Sequence, residues 1–166
     1  DVADWYCQLW AESLGKKQGL DGSEAYTGQT PIKALGATDQ HSQIQLYREG
    51  PNNKLINVLE VARFDSSLKI PDTLKGLTEL DYLRGKTMNK LMAAELQGTV
   101  DALTLSKRPV SRITLPRVNE HTVAQLLYML EAETAMAGRL YGVNTFDQPG
   151  VEEGKQIARR LMGGKG

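Results

Sequence analysis

The sequence predicts an α/β domain in which helices flank a mostly parallel sheet. Three observations carry this expectation. Helical periodicity dominates both ends and the middle of the chain. Short apolar, β-branched runs fall between the helical stretches. Helices outnumber strands and separate them, which is the alternation that parallel pairing needs. The 166 residues are about one domain's length, and 40% hydrophobic content can build a core.

Residues 2–14 predict the first helix. Val2, Trp5 and Leu9 form one stripe, and Cys7, Trp10 and Leu14 its neighbour. Gly15, followed by Lys16 and Lys17, is a stop. Gln8 and Glu12 lie four apart and so share a face. Glu12 falls in the last turn, where the helix dipole opposes a carboxylate's charge. A base that takes a proton from carbon benefits from such a position. On spacing alone, a solvated glutamate on an amphipathic helix is the ordinary reading.

Residues 15–30, rich in Gly, Ser, Thr, Gln and Lys, read as a loop, and 31–35 as a short strand closed by Gly36. Residues 37–41 then read as a strand-to-helix turn, with Thr38 or Asp39 as N-cap. His41 falls in the first turn, where the dipole opposes an imidazolium and favours a neutral ring. A lone histidine there is ordinarily a capping or surface residue. Ile44 and Tyr47 mark the inner face of this helix, which ends at Gly50-Pro51. The apolar run at 54–62 predicts a buried parallel strand.

Residues 63–76 read as loop and 77–83 as a short helix. Thr87 should cap a helix reaching about Ser106, with Met88, Met92, Leu96, Val100 and Leu103 as its stripe. Residues 112–115 predict another strand. Asn119 should cap the longest helix, to about Tyr141, with Val123, Leu126, Leu127, Leu130, Ala137 and Tyr141 inward and Met129 and Met136 as packing. Residues 151–162 predict the last helix, with Gly154, Ile157, Ala158 and Leu161 inward and Lys155 on its flank. A frayed tail is expected over 163–166.

Between the last two helices lies a tight polar turn. Gly142 suits the exit from the longer helix, where positive φ is cheapest for glycine. Asp147 is placed to accept from the free amides of the next helix, and Pro149 with Gly150 to fix its start. Gln148 and Lys155 are able to donate to an oxyanion or a sugar hydroxyl.

Three motifs combine here. Gly138-Arg139-Leu140-Tyr141, four further residues, and Phe146-Asp147-Gln148-Pro149-Gly150-Val151-Glu152, closing at Lys155, form the last. Glu12-Ser13-Leu14-Gly15-Lys16, with Gln8 one turn earlier, forms the first, and Thr38-Asp39-Gln40-His41 follows it. In identity, order and spacing this set resembles the phosphoglucose isomerase family over nearly the whole chain.

The resemblance implies a three-layer sugar-isomerase (SIS) domain, the second of two in that family. It further implies that residues 1–166 are a C-terminal portion, with the first SIS domain and part of this domain's own sheet absent. The implied chemistry is the interconversion of glucose 6-phosphate and fructose 6-phosphate through a cis-enediol, as in glycolysis and gluconeogenesis. Glu12 is the implied base, serving both carbons. His41 and Lys155 are the implied ring-opening pair. Gln8, Gln148 and Thr38 are the implied substrate-binding residues. The family's phosphate-binding Ser/Thr loop and its enediolate-steadying arginine would belong to the first portion, so this chain alone is expected to be inactive. The family's histidine reaches into a neighbouring subunit, so a homodimer is implied. A bifunctional phosphoglucose/phosphomannose isomerase and a non-catalytic phosphosugar-binding SIS module are the alternatives.

Composition narrows the field. Twenty basic and twenty acidic residues leave no net charge, which gives no support to nucleic-acid or membrane-surface binding. No apolar run approaches the ~20 residues of a membrane span. Cys7 is the single cysteine, which precludes an internal disulfide and fits a cytoplasmic protein. With His41 and His121 as the two histidines, no metal site is expected, and His121 reads as a surface or capping residue. No dinucleotide or Walker pattern occurs, and no cofactor is expected.

Overall fold

The computed structural model describes residues 1–73 and 76–164, so parts of the expected 63–76 loop and of the 163–166 tail lie outside the described residues. The α/β class holds. In chain order the elements are α1 (Val2–Leu14), β1 (Lys16–Gln18), β2 (Glu24–Thr27), α2 (Asp39–Ser42), α3 (Ile44–Glu49) and β3 (Ile56–Val61). A 3-10 helix (Thr78–Leu83), α4 (Met88–Leu105), β4 (Val110–Leu115), α5 (Glu120–Tyr141) and α6 (Pro149–Leu161) follow. They fall into two compact units, Asp1–Lys33 with Gln125–Gly166, and Ala34–Ala124.

The first unit is built on α1 and α5. Leu14, Leu126, Leu130 and Val143 are its buried apolar residues. A Cβ added to Gly138 would stand 1.9 Å from Thr145 Cγ2 and 3.4 Å from Leu14 Cδ2. Only glycine allows that approach of turn to helix. At the end of α5, Gly142 adopts φ 68°, as expected of a left-handed helix exit. Val143 N–H donates to Gly138 O at 2.9 Å and Gly142 N–H to Arg139 O at 3.2 Å, the paired closure of a Schellman motif.

The 15–30 segment is not a plain loop: β1 and β2 pair antiparallel, with Lys16 opposite Thr27 and Gln18 opposite Glu24. These strands are short and polar, so alternation could not disclose them. Tertiary bonds hold them instead. Leu20 N–H donates to Gly142 O at 2.7 Å, and the Thr27 hydroxyl to Leu14 O at 3.0 Å. No strand forms at 31–35.

In the second unit β3 and β4 run parallel in unbroken register, from Ile56 opposite Val110 to Val61 opposite Leu115. The expected strand at 54–62 is thus present, but it alternates half-buried and exposed instead of being buried throughout, and Leu59 is exposed. Among the described residues each sheet has two strands. Helix α4 begins as expected, with Thr87 Oγ1 accepting from Lys90 N–H at 3.2 Å. Asn119 Oδ1 likewise accepts from Thr122 N–H at 2.9 Å at the start of α5.

Several burial expectations fail, and Met88 and Met92 of the α4 stripe and Tyr141 at the end of α5 are exposed. Met129 and Met136 are exposed on α5, on a side away from its buried stripe of Leu126, Leu130 and Thr134. Gly154, Ile157, Ala158 and Leu161 of α6 are all exposed. Periodicity shows that a helix has an apolar stripe; it does not show that the described residues supply a surface to cover it.

Candidate active site

The C-terminal turn of α1 and the turn before α6 meet at one side chain, Lys16. A helix leaves its last carbonyls without intrahelical partners. Here the Thr27 hydroxyl serves Leu14 O, and Lys16 Nζ donates to Glu12 O at 2.7 Å. The same nitrogen donates to Asp147 O at 2.6 Å and lies 3.7 Å from Asp147 Oδ1. The Lys16 side chain is only 5% exposed. One buried ammonium therefore joins the Glu-Ser-Leu-Gly-Lys motif to the Phe-Asp-Gln-Pro-Gly motif, 131 residues apart.

Glu12 is half-buried, and its Oε1 accepts from Gln8 Nε2 at 3.1 Å. The four-residue spacing thus yields a direct contact on the face of α1. Gln148 follows Asp147, is exposed, and occupies the N-cap position of α6. Asp147 does not cap α6 as expected. Its Oδ2 accepts from Asn144 Nδ2 at 2.8 Å, while Asn144 Oδ1 accepts from Phe146 N–H at 3.1 Å. These bonds shape the turn, and Lys16 takes up what remains of the Asp147 acceptors. Lys155, on the second turn of α6, donates to Glu152 Oε1 at 2.6 Å. That ammonium holds the Glu152 carboxyl below the usual carboxylate range.

Thr38 and His41 belong to the second unit. Both are exposed. Thr38 occupies the N-cap position of α2, but its side chain makes no capping bond there, and its carbonyl accepts from His41 N–H at 3.2 Å. Asp39 takes the turn-forming role: its Oδ2 accepts from Leu35 N–H and its Oδ1 from the Ser42 hydroxyl, both at 2.7 Å. The expected single helix is broken at Gln43 into a four-residue and a six-residue piece. Gln40, beside His41, anchors α2 to α4 by donating to Glu95 O at 3.0 Å and Thr99 Oγ1 at 2.8 Å.

The structure therefore joins Gln8 to Glu12 directly, and the backbone of Glu12 to the turn carrying Gln148. Two concave surfaces lie elsewhere in the first unit. One, of about 240 Å³, is lined by Leu20, Ala135, Arg139, Asn144, Thr145 and Phe146 among others. The other, of about 610 Å³, is lined by Trp10, Tyr128, Met129, Ala132, Met136 and Leu140 among others. Neither contains a candidate catalytic side chain. Lys16 is the residue that sequence reasoning passed over. It was legible as part of a helix stop and as the last residue of the Glu-Ser-Leu-Gly-Lys motif, but nothing local shows that its side chain turns inward.

The family profile described as phosphoglucose isomerase matches residues 1–164. The chain belongs to the phosphoglucose isomerase family. Glucose-6-phosphate isomerase of Carboxydothermus hydrogenoformans is 49% identical over 165 residues, covering 99% of this chain and 36% of that protein. A probable glucose-6-phosphate isomerase of Halobacterium salinarum is 48% identical over 98% of this chain and 36% of its own length. The chain thus spans little more than a third of these phosphoglucose isomerase relatives. Among solved structures, a hypothetical protein of Thermus thermophilus superposes with a TM-score of 0.90 at 40% identity, over 98% of this chain and 38% of that one. A glucose-6-phosphate isomerase of Chlamydia trachomatis shares the fold at a TM-score of 0.74 and 22% identity, over 98% of this chain and 32% of that one. No helix among the described residues is long and apolar enough to cross a membrane.

Proposed function

We propose that this chain serves in an enzyme interconverting glucose 6-phosphate and fructose 6-phosphate, with Glu12 as the base that moves the proton between C1 and C2. The observation that carries the reading is the Lys16 junction, which brings the Glu12 helix end and the Gln148 turn to one nitrogen. An aldose–ketose conversion through a cis-enediol needs one base in reach of two adjacent carbons. A carboxylate at a fixed helix end, steadied by the Gln8 amide, suits that task. Gln148 and Gln8 are neutral donors for substrate oxygens. His41 and Lys155 are the groups proposed to open the sugar ring, with Thr38 holding a hydroxyl.

The family resemblance supports a wider reading in which this chain works as the second SIS domain of a cytoplasmic homodimer. The β3–β4 pair leaves Asn57 and Leu59 exposed on one face, which is consistent with a larger assembly, since parallel strands are ordinarily covered on both faces. Residues 1–166 by themselves are expected to turn over negligibly. In a full-length enzyme carrying this chain, Glu12→Gln should lower isomerase turnover by at least about 10²–10⁴-fold. Unchanged turnover would remove Glu12 as the base. Turnover of mannose 6-phosphate by the unsubstituted enzyme would instead favour the bifunctional alternative. Phosphosugar binding without any turnover would favour the regulatory module.

A further inference from the structure

We propose that Lys16 is a positioning residue, whose buried ammonium sets the Glu12 carboxylate and the Gln148 amide at a fixed separation. The inference rests on the isomerase reading for its catalytic part, and on geometry alone for the tether.

The geometry is unusual for a lysine. Its side chain is 5% exposed, so the ammonium has lost most of its water. Such a cation persists only where its N–H donors are used. Two of the three go to backbone carbonyls, Glu12 O and Asp147 O, and the Asp147 carboxylate stands close enough to balance the charge. Each carbonyl is one bond-chain away from a candidate functional side chain: Glu12 carries its own carboxylate, and Asp147 O belongs to the peptide that leads into Gln148. Fixing the two carbonyls on one nitrogen therefore fixes the two side-chain origins. The backbone of Lys16 is itself held, as β1 pairs it opposite Thr27, and Thr27 caps Leu14 O. The tether is thus braced at both ends.

Lysine suits this place better than its relatives. Arginine carries the charge on a wider, planar head and cannot fit three donors around one nitrogen. Methionine fills similar volume but takes the lysine's donor away from both carbonyls, Glu12 O and Asp147 O. Loss of the tether should let the α1 end and the 144–148 turn move independently. A misplacement of ~1 Å in a proton-transfer site lowers the rate by about 10²-fold.

The test compares Lys16→Met and Lys16→Arg with the unsubstituted protein, in a full-length enzyme carrying this chain. Hydrogen–deuterium exchange at residues 12–16 and 144–151 reads the tether. It should quicken in both segments in Lys16→Met and less so in Lys16→Arg; unchanged exchange in Lys16→Met would overturn the tether. Turnover with ordinary and 2-deuterated glucose 6-phosphate reads the positioning. Lys16→Met should lose about 10–100-fold in kcat with a smaller change in KM, show a larger deuterium effect, and be partly rescued in Lys16→Arg. A fall in kcat with an unaltered deuterium effect means a smaller active fraction and would overturn the positioning role. Absence of isomerase turnover in the unsubstituted enzyme sinks the functional reading instead, while the exchange data still decide the tether.

Discussion

Lys155 does not face solvent alone: its ammonium lies 2.6 Å from Glu152 Oε1, three residues earlier on α6. The hydrogen bond from Lys155 comes first among the causes that lower the Glu152 carboxyl, followed by its charge. A depressed carboxyl stabilises the folded helix while ionised. That contribution is fully present above the ordinary glutamate value of 4.5 and is lost as pH falls through the lower folded value. Carboxyl NMR should therefore find Glu152 titrating below the usual glutamate range. Lys155→Met should return its midpoint upward, and an unmoved midpoint would show that the pair is not formed. For the proposed chemistry, one of the three Lys155 N–H donors is used by Glu152 and two are left for sugar oxygens.

At the scale of elements, the joint between α5 and the following turn is the most constrained in the chain. Gly138→Ala would drive a methyl into Thr145 Cγ2, 1.9 Å away in the existing geometry. Overpacking of this kind costs about 1–3 kcal/mol. Thermal or urea unfolding should read that loss, and the added substitution Thr145→Ser, which removes Cγ2, should recover part of it. Additive losses in the double variant would show that the two residues do not oppose each other. The same joint shows what was legible beforehand. The positive φ of Gly142, the Thr87 cap and the limits of α1 follow from local chemistry, and all were foreseen. The β1–β2 hairpin was not, because its residues Lys-Lys-Gln and Glu-Ala-Tyr-Thr carry no alternating apolar signal. What fixes it is a distant carbonyl, Gly142 O. The site divides along the same line. Gln8 and Glu12 are readable from helical spacing, whereas the inward turn of Lys16 depends on residues far away in sequence. The break of the His41 helix at Gln43 has no Pro or Gly to announce it.

At the scale of the molecule, much apolar surface remains uncovered. On α5, Tyr128, Met136 and Leu140 are exposed, Leu140 to 86%. On α6, Val151, Ile157 and Leu161 are exposed on a helix with a pronounced apolar stripe. Contiguous patches of this kind bind hydrophobic dyes and promote association. The isolated 166-residue chain should enhance ANS fluorescence and sediment heavier as its concentration rises through the micromolar range. Replacing Met136 and Leu140 by glutamate should reduce both effects, and a dye-silent, monomeric parent chain would contradict the exposure described. Zero net charge adds to the tendency, since it supplies little repulsion between copies.

Trp10 stands at the edge of the apolar concavity formed with Tyr128, Met129 and Met136, and its ring centroid lies 5.7 Å from that of Tyr6. Burial, with the nearby charge of Glu133, pushes the Tyr6 hydroxyl up, so it stays protonated where an ordinary tyrosine would become a quenching phenolate. In a Trp5→Phe chain, which keeps one of the two tryptophans, the Trp10 indole is therefore an optical gauge with a quiet neighbour. Its emission reports the wetness of that face, and shifts toward the blue whenever water there is displaced.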